Sequence, residues 1–583
     1  MLDSSKKAVV LGYIAIIIAG CAWMRDVHAQ PAVLWQAQAS SLEHATVRPY
    51  MVRGGGQGIH VIGSSVYETL FSPLLSDPDS SFAFVAQLDD SGNYTRVSQG
   101  ILPNGSAFCI ALDAAGAAYV LEGYQYAFDS KMWTEGSVIV NKYAPDGALE
   151  WSLPFGAYEK VRDFEMAPVF LKGIGVDDLG NIYVAGEFRG TLEIEGETYY
   201  SESVDLIVAS FDAQGKLRWF DQVEGPGFDI MAGVLRSPIG ILAVSGSGGV
   251  FLGGRFEKGA TFSSGHESEY TLGAVSPTYA IAHYASDGTV QWVRTPKQIG
   301  VTGDVGLLRA TVDDEHNLTL AWFMAGSPTV AEAEVDGIIL RDPGYGGTFV
   351  TQHTESGTLN WVNQLESDGN EWVTDLVSGA AGQVHISGHF DGLYLDAGGG
   401  NVVRKNDLQE DREDGFVVSY NSDGVPQRIL HARGPHIQRI RSIDANANGD
   451  LHVTGEFWET LKMPDLSLSA RGKADLFVAT YTAEQITSRE YSPSHEAKPL
   501  AVAAYPNPFS RTITVSVELV TSQAIQVDIY DTLGRKVANL AHGRFSAGLH
   551  RFEFSGIGLA SGIYIARIQR DAAFAVARTL VKY

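Results

Sequence analysis

The sequence predicts an all-β protein, a seven-bladed β-propeller followed by a small Ig-like β-sandwich. A glycine-marked motif recurs seven times at spacings of 60 to 68 residues. The segments between the copies alternate short strands with turns and show no helical periodicity. The C-terminal residues 500–583 then differ from the rest in charge and pattern. Repeats of this length that contain only strands are typical of four-stranded propeller blades.

The composition is that of a globular, acidic protein. The chain has 583 residues, of which 45% are hydrophobic and 19% charged, and its net charge is −26. Such a composition can bury a large core and excludes extensive disorder. Binding to nucleic acid depends on Lys and Arg that displace counterions from phosphates. We therefore expect no nucleic-acid partner.

The first 29 residues are typical of a secretory signal peptide. Lys6 and Lys7 precede the apolar run 8–20, and a small-residue cleavage site ends at Ala29. An alternative is that Cys21 ends a lipobox and is lipidated. The apolar run is too short to span a bilayer, and no later segment has 18 consecutive apolar residues, so we expect no transmembrane segment in the mature chain.

The cysteine content excludes two kinds of stabilisation. Cys21 and Cys109 are the two cysteines, and Cys21 lies in the targeting segment. A chain cleaved after Ala29 cannot form an internal disulfide or a cysteine-based metal cage. We expect no cofactor.

The first element of the repeat is an aromatic residue or histidine with glycine three positions later. Tyr183 and Gly186 are an example, and one copy has an inserted residue. A fifth, degenerate copy has Trp322 in place of the glycine. The anchor positions are Gly63, Gly123, Gly186, Gly254, Trp322, Gly388 and Gly455.

The second element is a tight turn between two strands. Three copies have Asp-Gly at this turn, the usual chemistry of a two-residue hairpin that needs positive φ. Four copies place tryptophan four residues after the turn glycine, at Trp151, Trp219, Trp292 and Trp361.

The seventh copy lacks its tryptophan strand, and the N-terminus has a spare one. No Gly-xxx-Trp segment follows residues 474–481, whereas residues 33–37 carry Trp35 outside any repeat. Pairing the two removes exposed strand edges. We therefore expect a propeller over residues 30–488, with strand 33–37 closing blade seven, and a linker over residues 489–499.

The consensus resembles the bacterial SBBP-type β-propeller repeat. The likeness is clearest at Asp177–Gly186 and Asp205–Phe211 and extends over about residues 33–488. That family is defined by its repeat, so the resemblance implies a fold and no catalytic residues.

Residues 500–583 form a basic module with a net charge of +4, whereas the first 499 residues carry −30. Such a step indicates a domain boundary. The module resembles the type A C-terminal sorting domain of the bacterial type IX secretion system. The matching positions include Tyr505, Pro506, Asn507, Pro508, Phe509, Gly534, Gly548, Gly562, Tyr564 and Lys582. The resemblance implies export by the Sec route and then the type IX machinery, followed by removal of the module and attachment to the cell surface or release.

The polar residue that follows each anchor is a candidate for ligand binding. If the anchor strand lies near the axis, such side chains ring one mouth of the channel, and the candidates are Glu187, Arg255, His389 and Glu456. The competing interpretation is hydrogen bonding between blades. Histidines such as His60, His385 and His452 share their position with Tyr or Phe in other copies, which indicates packing.

One segment matches part of a calcium loop. Asp444, Asn446, Asn448 and Asp450 have the spacing of oxygen ligands, but position 12 is Gly455 and Glu456 falls one place late. The segment is also the Asp-rich turn of a blade, and Asp and Asn cap turns without an ion. It is a weak metal candidate.

The predicted function is binding or adhesion by a surface-displayed propeller, with an extracellular glycan or protein as ligand. We found no Gly-x-Ser-x-Gly elbow, Walker loop or HExxH motif, so we predict no enzyme. The alternatives are a polysaccharide-active hydrolase or lyase at the channel mouth and a structural surface component. We expect a monomer.

Overall fold

The fold was examined in a computed structural model. It describes residues 33–482 and 501–582 apart from internal stretches, the longest of which are 124–137, 158–168 and 232–240. The predicted signal peptide and linker lie outside the described residues. Strands make up almost all of the described elements, and one short 3₁₀ turn occurs at Ala380–Gly382.

The chain divides into two compact units. The larger comprises Met1–Asp396 and Val403–Arg489, and the smaller comprises Glu490–Tyr583 with Ala397–Val402.

The larger unit contains seven successive antiparallel sheets whose strands follow the repeat. The first three sheets are, from the inner to the outer strand, β2 (Thr46–Gly55), β3 (Gly58–Val66), β6 (Phe82–Leu88) and β7 (Tyr94–Gln99); β8 (Ser106–Leu112), β9 (Ala118–Gly123), β10 (Val138–Tyr143) and β11 (Leu149–Ala157); and β12 (Val169–Val176), β13 (Ile182–Ile194), β14 (Glu197–Phe211) and β15 (Leu217–Val223).

In the fourth sheet the inner position is shared by two short strands. Its strands are β16 (Ile230–Met231) and β17 (Ile241–Val244), then β18 (Val250–Phe256), β21 (Thr278–Tyr284) and β22 (Val290–Arg294). The fifth and sixth sheets are β24 (Asp304–Val312), β25 (Leu318–Ala325), β28 (Gly347–His353) and β29 (Leu359–Ser367); and β30 (Glu371–Ser378), β31 (Val384–Phe390), β34 (Asp414–Tyr420) and β35 (Pro426–Ala432).

The seventh sheet combines the two ends of the larger unit. Its strands are β36 (Gln438–Ala445), β37 (Leu451–Phe457), β40 (Asp475–Tyr481) and β1 (Val33–Ser41). β1 pairs antiparallel with β40, with Ala37 opposite Val478, which is the pairing that the spare N-terminal strand predicts. Gln38 Nε2 also donates to Asp475 Oδ2 at 2.6 Å. The side chain of Trp35 lies outside the described part.

Shorter strands connect or extend these sheets. They are β4 (Thr69–Phe71), β5 (Leu74–Leu75), β19 (Thr261–Phe262), β20 (Tyr270–Thr271), β23 (Lys297–Ile299), β26 (Glu332–Val335), β27 (Ile338–Arg341), β32 (Tyr394–Asp396), β33 (Val402–Arg404), β38 (Thr460–Met463) and β39 (Leu466–Ser469).

The inner strands contact one another in a cyclic order. β2 contacts β8, and the series continues through β12, β17, β24 and β30 to β36, which contacts β2. The second strands are buried on both faces, as in β31 and β37. The outer strand β35 alternates buried and half-buried residues. This gradient indicates that each sheet packs between two neighbours near its inner strands and reaches solvent at its outer edge.

The outer tryptophans of the second to fifth sheets lie against the turn of the following sheet. Trp219 Nε1 donates to Ser286 O at 3.0 Å, and Trp292 Nε1 donates to Glu355 O at 3.0 Å. The accepting residues lie in the Gly turn of the following sheet. Gly288 has φ +89° there, and a Cβ at this position would lie 2.8 Å from the Trp219 ring. The repeated glycine and tryptophan therefore form one inter-sheet contact.

The three anchor-strand histidines are buried, as their shared position with Tyr and Phe predicts. His60, His385 and His452 are at most 5% exposed. His385 Nδ1 lies 2.8 Å from Ser419 Oγ, and His452 Nδ1 lies 2.9 Å from Thr480 Oγ1. Burial lowers the pKa of each of the three to about 4.

We expect the larger unit to lose stability between pH 6.5 and pH 4. A histidine in the unfolded chain has a pKa near 6.5, so between pH 6.5 and pH 4 the unfolded chain binds protons and the buried imidazoles stay neutral. Proton binding then favours the unfolded state. At pH 5 the loss is roughly 2 kcal/mol per histidine. Urea denaturation of the mature protein at pH 7 and pH 5 measures this loss in the free energy of unfolding. His385→Tyr, which introduces the residue that other sheets have at this position, should make the loss smaller. An equal pH dependence in that variant would refute the assignment.

The smaller unit is two sheets around one core. One sheet has β41 (Ala501–Tyr505), β42 (Thr512–Leu519) and β45 (Gly548–Ser555); the other has β43 (Gln523–Asp531), β44 (Lys536–Phe545), β46 (Gly562–Arg570) and β47 (Phe574–Lys582). Alternate residues of both sheets, such as Val515 and Val527, are buried against each other. This is the two-layer arrangement of a β-sandwich. Among the described residues of the chain, no helix is long and apolar enough to cross a membrane.

Candidate functional site

One cavity is lined by the inner strand of all seven sheets. Its volume is about 690 Å³, and it reaches the turns that join the inner strands to the second strands. The polar side chains in its wall are Arg53, Thr311, Arg309, Asp314, Asp375, Ser378, Asp444 and Asn446. Because each sheet contributes one strand, this wall combines residues that are far apart in sequence.

Two glycines allow the inner strands to approach closely. A Cβ on Gly173 would lie 2.7 Å from Leu242 Cβ, and one on Gly175 would lie 2.5 Å from Val244 Cγ2. The third and fourth sheets therefore present mainly backbone and aliphatic groups to the cavity. The charged groups come from the first, fifth, sixth and seventh sheets.

Arg53 links three sheets at the cavity wall. Its guanidinium lies 3.5 Å from Asp375 Oδ2 in the sixth sheet and 4.0 Å from Asp444 Oδ1 in the seventh. It also donates to Ile443 O at 3.2 Å. Burial by itself lowers the pKa of Arg53, but the two carboxylates outweigh burial and raise it. Arg53 is therefore a charged group at the junction of the first and last sheets.

Arg309 supplies a second guanidinium in the same wall. It is buried, donates to Thr374 O at 2.7 Å through Nε and donates to Leu308 O at 2.7 Å through one terminal nitrogen. Burial lowers its pKa, against the opposing effect of Asp375. This side chain joins the fifth sheet to the sixth.

Two of the cavity carboxylates, those of Asp375 and Asp444, have different surroundings. Asp375 Oδ2 accepts from Ser442 Oγ at 2.5 Å and from Ile443 N at 3.2 Å. Asp444 Oδ2 accepts from Gly54 N at 2.7 Å. Burial raises the pKa of Asp444 to about 6, and Arg53 only partly opposes that shift. A carboxyl group with such a pKa can act as a proton donor near neutral pH.

Cys109 also lines the cavity. Its thiol contacts Lys172 O at 3.3 Å, and burial raises its pKa to about 12. It is therefore a protonated packing residue under ordinary conditions.

The predicted channel-mouth residues do not line this cavity. The structure places the anchor strand second in each sheet, next to the inner strand that lines the cavity. Glu187 instead forms an ion pair with Lys172 at 2.5 Å, and Arg255 lies 3.7 Å from Glu257.

The other two predicted residues lie near each other in the sixth and seventh sheets. His389 Nε2 lies 3.5 Å from Glu413 Oε2. Glu456 is buried and pairs with Arg439 and Arg441. These contacts lie at the opposite end of β36 from the cavity.

The four calcium candidates are divided between a turn and the cavity. Asn446 Oδ1 accepts from Asn448 N at 3.0 Å and from Asp450 N at 2.9 Å. Asp177 in the third sheet makes the same pair of bonds within its own turn. Asp444 faces the Arg53 guanidinium. The side chains of Asn446 and Asp450 therefore serve the repeated turn, with Asn446 Nδ2 donating to Asp450 Oδ2 at 3.2 Å.

The sorting motif is distributed over both sheets of the smaller unit. Phe509 is buried against Phe554, with ring centroids 6.1 Å apart, and its backbone bridges to Lys582. Tyr564 donates to Ala560 O at 2.8 Å. Tyr505 ends β41, Gly548 begins β45, and Gly562 begins β46. Pro506, Asn507, Pro508 and Gly534 lie outside the described residues.

Comparison with known families identifies the smaller unit. Residues 503–582 match the family described as the secretion system C-terminal sorting domain. The protein is therefore exported by the type IX system, to the cell surface or as a secreted protein. No curated protein matches the chain significantly.

The solved structures that match this chain have low sequence identity and low TM-scores. A protein of unknown function from Dyadobacter fermentans is 9% identical, with 78% of this chain and 99% of that chain covered and a TM-score of 0.33. A puromycin hydrolase complexed with PGG is 11% identical, with 81% of this chain and 59% of that chain covered and a TM-score of 0.36. A glycoside hydrolase of family 32 from Bifidobacterium adolescentis is 9% identical, with 94% of this chain and 95% of that chain covered and a TM-score of 0.21.

Proposed function

We propose that this exported protein is a ligand-binding module, and that its larger unit is a seven-bladed β-propeller of the SBBP-repeat type. The cyclic contact order of the seven inner strands supports the propeller. The observation that carries the binding function is the cavity to which all seven inner strands contribute.

The size and lining of the cavity suit binding. Small-molecule sites are commonly 300–1,000 Å³ and have mostly apolar walls with a few placed polar groups. Here about 690 Å³ is bounded by aliphatic side chains and by the groups of Arg53, Arg309, Asp375 and Asp444. Because these groups already have ion-pair or hydrogen-bond partners in the wall, the ligand is a polar group with both donors and acceptors, such as a sugar or a peptide side chain. Its source is an extracellular glycan or protein.

Filling the cavity tests this proposal. We expect the mature full-length protein to bind at least one member of a glycan and extracellular-protein array through the cavity, and Ala111→Trp to abolish the binding of that member because Ala111 lines the cavity. Thr95→Trp is the matched control, since Thr95 is exposed on the outer strand β7. No binding by the wild-type protein, or binding of every array member by Ala111→Trp as tightly as by the wild type, would contradict the proposal.

A second candidate function is hydrolysis or cleavage of a polysaccharide at the same cavity. It rests on Asp444, whose pKa is raised to about 6, and on a second carboxylate, Asp375, on the other side of Arg53. Glycosidases use two carboxyl groups, one of which donates a proton to the leaving oxygen. Release of new sugar ends by the wild-type protein and its loss in Asp444→Asn would establish an enzyme.

A further inference from the structure

A charged and aromatic cluster lies at the end of β36 away from the cavity, and we call it the ion-pair surface. It is formed where the sixth and seventh sheets meet. Its members are Trp372, His389, Glu413, Arg439, Arg441, Glu456 and Trp458.

The charged side chains form a continuous network. Arg439 contacts the Glu413 carboxylate through two nitrogens, and one terminal nitrogen lies 2.8 Å from Oε1. The other terminal nitrogen of Arg439 lies 3.6 Å from Glu456 Oε1. Arg441 donates to Glu456 through Nε at 3.1 Å and through a terminal nitrogen. Glu456 is buried, while the side chains of Arg439 and Arg441 keep 26% and 28% of their surface exposed. The network is therefore buried at Glu456 and reaches solvent at the two arginines.

Aromatic rings border this edge on both sides. The Trp372 ring stacks on His389, with centroids 5.2 Å apart, and the Arg439 guanidinium lies 6.0 Å from the Trp458 ring. Both indoles are partly exposed. Nδ1 of the buried His389 has no hydrogen-bond partner among the described residues.

The third sheet has a simpler arrangement at the corresponding positions. Lys172 lies at the bulge of its inner strand, as Arg441 does, and Glu187 follows an anchor glycine, as Glu456 does. Lys172 and Glu187 form an ion pair. The ion-pair surface adds to such a pair a second arginine, a second glutamate and two indoles.

We propose that the ion-pair surface binds a neutral saccharide through a pair of adjacent hydroxyl groups. An arginine and a glutamate side by side offer donors next to acceptors, and each hydroxyl of a vicinal diol can accept from one and donate to the other. Trp372 packs on His389, and Trp458 packs near Arg439 and His436, and the part of each indole that stays exposed offers apolar surface to the carbon side of the sugar ring. Aromatic side chains with a polar edge are common at recognition sites.

The charge of the surface favours a neutral ligand over an acidic one. Two arginines and two glutamates cancel, and burial, reinforced by Arg441 and Arg439, holds the pKa of His389 well below its ordinary value, so its imidazole is neutral. An anionic ligand would have to displace Glu413 from Arg439. That exchange replaces one carboxylate contact by another and leaves Glu413 without its arginine partner.

Titration calorimetry of the mature protein tests the proposal. The probes are cellotriose, maltotriose, mannotriose, xylotriose and, as the acidic counterpart, trigalacturonate. We expect at least one neutral trisaccharide to bind. Trp458→Ala and Glu413→Gln should weaken that binding at least tenfold, whereas the control Lys172→Ala should leave it unchanged. Equal melting temperatures of the variants and wild type show that folding is retained.

Binding of the trisaccharide at the ion-pair surface should not depend on the cavity. The cavity-filling variant Ala111→Trp should still bind the trisaccharide, because Ala111 is at the other end of the inner strands. Binding of trigalacturonate only, no binding of any neutral probe, or unchanged binding by both Trp458→Ala and Glu413→Gln would each overturn the proposal. Loss of binding in Ala111→Trp would place the saccharide in the cavity and overturn it too.

Discussion

Deletion of residues 500–583 is expected to abolish export across the outer membrane. The matched sorting domain spans residues 503–582, so the deletion removes the signal that the type IX machinery recognises. The truncated chain should then accumulate in the periplasm. Cell fractionation, with protease accessibility of intact cells, measures the surface and secreted fraction, which should fall to background.

Two further variants make this prediction specific. Phe509→Ala removes a buried ring from the core of the sorting domain and should cost about 3–5 kcal/mol of its stability, which reduces export without shortening the chain. Cys21→Ala should leave export intact if the signal peptide is cleaved after Ala29. Surface display of the truncated chain would instead favour lipidation of Cys21.

A chain that begins at residue 42 is expected to be strongly destabilised. It lacks β1, which covers the edge of β40 by a ladder from Val33 to Ala39 and buries Ala37 and Ala39. At about 1 kcal/mol per hydrogen bond, with the apolar burial added, the loss is roughly 5 kcal/mol or more. Urea denaturation of the two purified mature chains gives the difference in the free energy of unfolding.

A deletion of similar length in the predicted linker is the control. Removal of residues 490–499 should change the melting temperature of the larger unit by little, because it removes no strand of the seven sheets. Gln38→Ala should have an intermediate effect, since it deletes the 2.6 Å hydrogen bond to the buried Asp475. Equal melting temperatures for the two deletions would show that the N-terminal strand does not stabilise the ring.

Much of the fold was predictable because its signals are local. The Gly of each turn and the Trp four residues later belong to one contact between neighbouring sheets, as Trp219 and Gly288 show. A contact that four of the repeats make with the next leaves a periodic trace in the sequence. The pairing of β1 with β40 was also predictable, because a strand pattern was missing in one place and present in another.

The candidate site was mostly not predictable. The sequence motif marks the second strand of each sheet, and the candidates chosen beside it, such as Glu187, pair within their own sheet. The cavity wall belongs to the inner strands, which carry no shared motif. Arg53, Arg309 and Asp375 each occur in a different copy and have no counterpart in the others.

The sequence by itself determined the all-β class, the seven strand repeats and the exported C-terminal domain, because hydrophobic alternation, turn chemistry and sorting motifs act over a few residues. Only the tertiary structure decided which strand of each sheet faces the cavity. Alternation marks the two faces of a strand and not its place in the order of strands. The meeting of Arg53 with Asp375 and Asp444, more than 300 residues away, depends on the contact of β2 with β36, and no local pattern records that contact.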